Sequence, residues 1–283
     1  ASEAAGWDRR QGRVLGARAQ QDPMDGAEGF KQDTTGMQAG GQKALGGGWF
    51  LGGSLTYEDS WFRNDAGTQK LYNKSFTGAA ALKKEIGPWT FAAVGGAGYN
   101  WGDATRYVTL GPLHGVAESE PNSSVFFGRA RVAYEMAFDE RFYIQPAVDL
   151  DVITVHQEGY TETGAGGLNL IVNDSTKTVY GVTPGLQVGK RFDIAGGLPA
   201  RLFAGVGVSF LSDDKYETTA RFAGLSSMDT FSTYMPISDT VGRVSVGLDL
   251  QKVHGMQLKV QYDGAFADGY QFHGGSLRFG YRF

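Results

Sequence analysis

The sequence predicts an all-β chain: a 12-stranded antiparallel up-and-down transmembrane β-barrel with short periplasmic turns and long extracellular loops. Three observations predict it. The first is the terminal segment, where Leu277, Phe279, Tyr281 and Phe283 fall on one side of a strand, and Gly274, Ser276, Arg278, Gly280 and Arg282 on the other. Large apolar groups backed by small or basic ones suit a strand with lipid on one face and a wet interior on the other. The second is composition. The 283 residues include 43 glycines and 13% aromatics, yet no run approaches the roughly 18 apolar residues of a membrane-spanning helix. Composition by itself fits a soluble β-sandwich or propeller as well. The third is an alternation of short and long links between strands, which neither soluble fold produces.

Period-2 alternation marks the strands in order. Arg13–Gln20 and Thr35–Lys43 are Gly-rich first and second strands. Trp49–Phe62 places Trp49, Leu51, Leu55, Tyr57 and Trp61 outward against Gly52, Ser54, Thr56 and Glu58. Phe76–Lys83 and Trp89–Trp101 repeat the scheme, the latter with Trp89, Phe91, Tyr99 and Trp101 outward. Phe126–Met136 sets Phe126, Val132 and Tyr134 against Arg129, Arg131 and Glu135. Phe142–Val152 sets Phe142, Ile144, Val148 and Leu150 against Gln145, Asp149 and Asp151. Pro146 in that strand and Pro184 in Val179–Phe192 lack an N–H and predict a bulge or a weakened ladder position. Leu202, Val206 and Phe210 then oppose Arg201, Phe203 and Ser209; Val244, Val246 and Leu248 oppose Arg243, Ser245 and Asp249. Met256, Leu258, Val260 and Tyr262 oppose Gln257, Lys259 and Gln261, and the terminal strand completes the set.

Short links are expected at Leu45–Gly48, Glu85–Pro88, Asp139–Arg141, Asp193–Pro199 and Val253–Gly255. Long polar links are expected at Gln21–Thr34, Arg63–Ser75, Gly102–Ser123, His156–Thr176 and Ser212–Ser238, with a shorter one near Ala265–Phe272. Tight turns on one side and long loops on the other are the pattern of an outer-membrane barrel, and an even strand number puts both termini on the short-turn, periplasmic side. A lumen of this size admits about one helix or one extended hairpin, between the filled eight-strand and the open sixteen-strand barrels. Arg129, Arg131, Glu135, Asp149, Asp151, Arg201, Arg243, Asp249, Lys259, Arg278 and Arg282 are expected to line it. A solvated wall of mixed charge accounts for any one of them, and a continuous belt would bear on whatever occupies the pore. Trp49, Trp89 and Phe142 sort toward the short turns, and Tyr57, Trp61, Tyr99 and Trp101 toward the long loops, as two interfacial girdles do.

Little in the sequence points to chemistry. There is no cysteine, hence no disulfide and no thiolate metal site. His254 falls in a short turn, and His114, His156 and His273 on the opposite side. No HExxH or Walker A spacing occurs, and the glycine clusters Gly46–Gly48 and Gly95–Gly98 do not lead into helices, so phosphate binding has no context there. A surface hydrolase using His156 or His273 with a rim serine is conceivable, but no spacing fixes it. The formal charge of −4 and the lack of a basic stripe argue against nucleic acid. No catalytic residue, cofactor or metal ligand is assigned.

The segment Phe30-Lys-Gln-Asp-Thr-Thr-Gly-Met-Gln-Ala-Gly-Gly-Gln42, followed by Trp49-Phe-Leu-Gly-Gly-Ser-Leu-Thr-Tyr57, resembles the second and third strands of autotransporter β-domains. Tyr262 to Phe283 is similar to their closing hairpin. The resemblance covers about Gly6 to Phe283. It implies a non-enzymatic translocator of type V secretion in the Gram-negative outer membrane, exporting its own N-terminal passenger, with its C-terminus in the periplasm. It also implies an assembly signal at Leu277, Phe279, Tyr281 and Phe283. The implied partners are outer-membrane lipid and lipopolysaccharide, the assembly machinery, periplasmic chaperones and the passenger itself, around a monomer. Members carry a long pore helix before the first strand. Here only Ala1–Ala5 can belong to it, so residues 1–8 read as a linker remnant of a cleaved or truncated domain, and residues 9–283 as the barrel. The Asn-Asn self-cleavage junction of one branch is missing from this segment. A small outer-membrane channel is the other reading.

Overall fold

A computed structural model describes residues 8–24, 26–194, 197–213, 215–224, 230–251 and 255–282, with no side chains described for residues 8, 251 and 282. The segment Ala1–Ala5, the histidine at 254 and the terminal Phe283 lie outside them, as does the side chain of Arg282.

Barrel strands are numbered in chain order: β1 Asp8–Gln21, β2 Phe30–Gly46, β3 Trp49–Asn64, β4 Gln69–Ile86, β5 Trp89–Leu110 and β6 Ser123–Tyr134. They continue as β7 Phe142–Gln157, β8 Ser175–Ile194, β9 Leu198–Leu211, β10 Thr240–Gln251, β11 Met256–Ala267 and β12 Tyr270–Arg282. Each pairs antiparallel with its sequence neighbours, and β12 returns to β1 with Leu277 opposite Val14 and Arg278 opposite Arg13. Closure leaves no unpaired edge, which a strand in lipid cannot tolerate. β1 begins at Asp8, one residue into the stretch read from sequence as linker.

Outward faces carry the apolar payload: Met37, Leu55, Val206 and Phe279 are each more than half exposed. Inward, large and small residues interdigitate. Phe127 lies over Gly96, Tyr143 over Gly189 and Phe203 over Gly247, and each aromatic is the direct cross-strand partner of its glycine. A Cβ on Gly189 would come 2.2 Å from the Tyr143 ring, so the glycine is what lets that ring lie flat and stay buried. Such pairs pin the register. At the short turn between β2 and β3, Gly47 and Gly48 hold φ of +55° and +80°. That is the double left-handed conformation of a type I′ hairpin, which glycine adopts without strain.

One expectation needs correction, and another is narrowed to one of its alternatives. The long links are not loops throughout. β3 and β4 continue past the girdle, with Arg63 opposite Lys70 and only residues 65–68 left to turn the chain, and β4 and β5 remain paired up to Gln69 opposite Arg106. Beyond β5, Leu113–Ser119 folds back as a further strand. In the links after β7 and β9, Tyr160–Thr161, Leu170–Val172, Lys215–Phe222 and Phe231–Pro236 form a separate four-stranded sheet. The reason is that alternation persists where lipid ends: Lys70, Tyr72 and Lys74 occupy the face held lower down by Phe76 and Leu82, and their charge disguises the strand. The prolines take the second of their two alternatives, a weakened ladder position. Pairing of β8 with β9 lapses between Val182–Phe210 and Gly185–Gly207, around Pro184, and β6–β7 pairing lapses at Ala133–Ala147, beside Pro146. Both resume in unchanged register, so the prolines thin the ladder without adding a bulge.

Candidate functional site

The interior of the barrel has two unlike walls. On β6 and β7, charges of opposite sign face each other in register. Arg129 grips Asp151 with two bonds, Nε–Oδ1 at 2.5 Å and Nη2–Oδ2 at 3.1 Å, the bidentate fit of a guanidinium to a carboxylate. Arg131 lies 3.3 Å from Asp149 one step along. Near the short-turn end, Arg191 reaches Glu135 at 2.5 Å.

The opposite wall is different. Direct cross-strand partners run obliquely through Arg13, Arg278, Lys259, Asp249, Arg201 and Arg191, from β1 across β12, β11, β10 and β9 to β8. Five cations stand in this line with one carboxylate, and Asp249 is shared between Arg201 at 4.0 Å and the Gln257 amide at 2.6 Å. Like charges directly opposite one another cost stability. The Nε atoms of Arg13, Arg201 and Arg278 are buried with no hydrogen-bond partner among the described residues. Arg243 donates to the Ser209 hydroxyl, itself only 1% exposed.

These walls enclose a cavity of about 480 Å³ bordered by Arg13, Arg129, Arg131, Asp149, Arg243 and Lys259. A second space of about 870 Å³ opens at the short-turn end among Arg9, Arg141, Arg191, Arg201 and Asp249. The wet interior can screen the excess charge and hydrate the Nε donors, and a bound anion or a carbonyl-rich segment would give them a partner of matching charge or dipole. Arg13 and Arg191 are the members that the sequence did not assign. No face was given to β1 or to the end of β8, although alternation with Val14 and register with Arg201 identify both.

At the rims, Trp49, Trp61, Trp89, Trp101 and Phe142 are 41–48% exposed on the outer face. Tyr57 and Tyr99 direct their hydroxyls to Asp59 at 3.1 Å and Glu158 at 2.9 Å. On the last strand, Phe279 and Tyr281 are exposed and Leu277 half-buried, opposite Leu258, Met256 and Val260 of β11. Among the described residues, no group of three or more His, Cys, Asp or Glu is placed to hold a metal ion.

The model of the family described as "Autotransporter beta-domain" matches residues 11–263, most of the chain. The chain belongs to the autotransporter beta-domain family. Among solved structures, the translocator domain of autotransporter NalP from Neisseria meningitidis superposes with a TM-score of 0.78 at 16% identity, over 99% of this chain and 90% of that one. The beta domain of the Bordetella autotransporter BrkA gives 0.67 at 18% identity, over 98% of each. Both likenesses bear on the fold. Two curated relatives named Esterase EstA, from Pseudomonas aeruginosa and Pseudomonas putida, are 26% identical over 234 residues, 75% of this chain and 35% of theirs. The chain thus spans about a third of the length of those relatives. As an autotransporter beta-domain, this barrel is an outer-membrane anchor and translocator, and the family implies a linked passenger.

Proposed function

We propose that the basic line inside the barrel seats the segment that joins the passenger to β1, holding it in the lumen while the passenger is exported. The observation that carries this reading is the imbalance of the line: five inward cations stand in register with Asp249, only Arg191 has a further carboxylate in Glu135, and the buried Nε donors of Arg13, Arg201 and Arg278 have no hydrogen-bond partner among the described residues. A threaded segment supplies what is missing, through its acidic side chains or through the carbonyl end of a helix, where the dipole is negative. In this reading residues 1–8 belong to that segment, residues 9–283 are the translocator, and catalysis resides in the passenger and not in this chain.

The same reading sets the short turns and the C-terminus in the periplasm and the long links outside the cell. It treats Leu277, Phe279 and Tyr281 with Phe283 as the signal read by the assembly machinery and its chaperones. The barrel works as a monomer surrounded by lipid and lipopolysaccharide. Removing Phe283 should then lower membrane levels in cells far more than it slows refolding in detergent; equal membrane levels of the two chains would contradict the signal.

The seating is tested in the full-length precursor by the pair Arg13→Glu and Arg278→Glu. Folded barrel, seen as heat-modifiable migration, is expected at parental levels, while protease-accessible passenger on intact cells falls several-fold. Undiminished surface passenger from a normally inserted double variant would overturn the role given to the line.

A further inference from the structure

On the outside of the barrel, beyond the upper girdle, a second set of cations is aligned without counter-charges. Lys31 of β2 is the direct register partner of Arg63 of β3, and Arg63 of Lys70 of β4. All three are exposed. Each shares the outward face of its strand: Arg63 lies two residues beyond Trp61, and Lys70 is followed on the same face by Tyr72. Side chains in direct register stand about 4.5–5.5 Å apart at Cβ, so three like charges are held together where repulsion opposes them. No carboxylate of the described residues lies within ion-pairing distance of any of the three. Lys70 merely overlies the Tyr107 ring at 5.4 Å.

The nearby outward carboxylates stand in the two rows below. Asp33, partner of Trp61, is bound by Arg18 at 2.6 Å, and Asp59 accepts from the Tyr57 and Tyr72 hydroxyls at 3.1 and 2.6 Å. Asp103 faces Tyr72 in the same row as Asp33. The cations border an open groove of about 700 Å³ whose lower part takes in Trp61, Tyr72, Asp103 and the Arg18–Asp33 pair. Two residues of tilted strand separate the row from Trp61, about 5 Å along the bilayer normal. That is the depth of lipid headgroups when the indole marks the hydrocarbon boundary.

We propose that Lys31, Arg63 and Lys70 form a binding site for the phosphate groups of lipopolysaccharide, whose acyl chains then lie along Trp61 and Trp101. The assignment to this glycolipid rests on the outward orientation of the long links proposed above, which puts the row in the outer leaflet. The chemistry is charge pairing: three fixed cations replace the divalent ions that otherwise bridge neighbouring lipid phosphates, and the exposed indoles give the sugar-proximal acyl carbons an apolar surface.

The test uses the barrel folded in detergent micelles, with native mass spectrometry reading bound lipid. The probes are lipopolysaccharide, the same lipid stripped of phosphate, phosphatidylglycerol and inorganic phosphate. Lipopolysaccharide is expected to bind the parent, and its apparent affinity to fall on the order of 100-fold in Lys31→Gln/Arg63→Gln/Lys70→Gln, since each basic residue near an anionic lipid surface contributes several-fold. Lys43→Gln, an outward cation at the other end of β2, should bind like the parent. If the triple variant does not fold, Arg63→Gln alone is expected to lose about fivefold. The proposal is overturned if the variants bind lipopolysaccharide as tightly as the parent. It is overturned equally if the phosphate-free lipid, phosphatidylglycerol or inorganic phosphate binds as well as lipopolysaccharide. Because binding is read in micelles, it does not depend on orientation, which surface labelling of intact cells decides separately.

Discussion

Single side chains in this barrel are defined by which of two solvents they meet. Val206 is 62% exposed near the middle of β9 and faces lipid, while Ser245, partner of Gly205 on the adjacent strand, faces the interior cavity. An arginine at Val206 has to place its guanidinium in hydrocarbon and should cost about 2–4 kcal/mol of folding stability in bilayers. At Ser245 the same residue enters a wet lumen already lined by Arg243 and Lys259, so insertion should survive and ion conductance become more anion-selective. Chemical unfolding in liposomes and planar-bilayer recordings read the two effects. Equal stability of both variants would show the faces to be wrongly assigned. The aromatic–glycine pairs are the other decision made at this scale: Tyr143 is buried to 1% because Gly189 has no Cβ to lift it.

Elements behave differently above and below the girdles. Within the bilayer, alternation of large apolar with small or polar residues was readable, and so were twelve strands, with faces for most of them but not for β1, β2 or β8. Above it the same alternation runs through charged residues, and sequence patterning alone mistook the paired ends of β3, β4 and β5 for loops. The cap formed by the longer links is held by a feature with no sequence signature. Arg106 of β5 meets Glu162, 56 positions on, at 2.9 and 2.5 Å, and donates also to the Leu168 carbonyl. Glu162 is 5% exposed and accepts the Leu170 N–H at 2.7 Å. Breaking a buried pair by removing one partner costs about 3–5 kcal/mol, more than a small sheet of short strands can absorb. Glu162→Ala should therefore open the link between β7 and β8 to protease while the heat-modifiable barrel persists. A link that resists protease as the parent does would show the pair to be dispensable.

Over the whole molecule, the charge imbalance of the lumen and that of the outer rim have a common form. Each is a row of cations placed in register by strand pairing, and in each the cations outnumber the carboxylates that pair with them among the described residues. The composition hides both, because the net charge is −4. Only closure of β12 on β1 brings Arg13 beside Arg278, residues 265 positions apart in sequence, and only the extended hairpins stack Lys31, Arg63 and Lys70. A reading of single strands therefore finds the cations and misses the lines they form.

The account stands on one orientation: long links outside the cell, short turns in the periplasm. The absence of cysteine from the chain makes this directly measurable, since a single introduced thiol has no competitor within the barrel. Ala66→Cys, in the exposed turn between β3 and β4, and Glu140→Cys, in the exposed turn between β6 and β7, sit at opposite ends of the barrel. With a membrane-impermeant maleimide on intact cells, Ala66→Cys is expected to label and Glu140→Cys to label only after the outer membrane is opened. Labelling of Glu140→Cys but not of Ala66→Cys on intact cells would contradict the account.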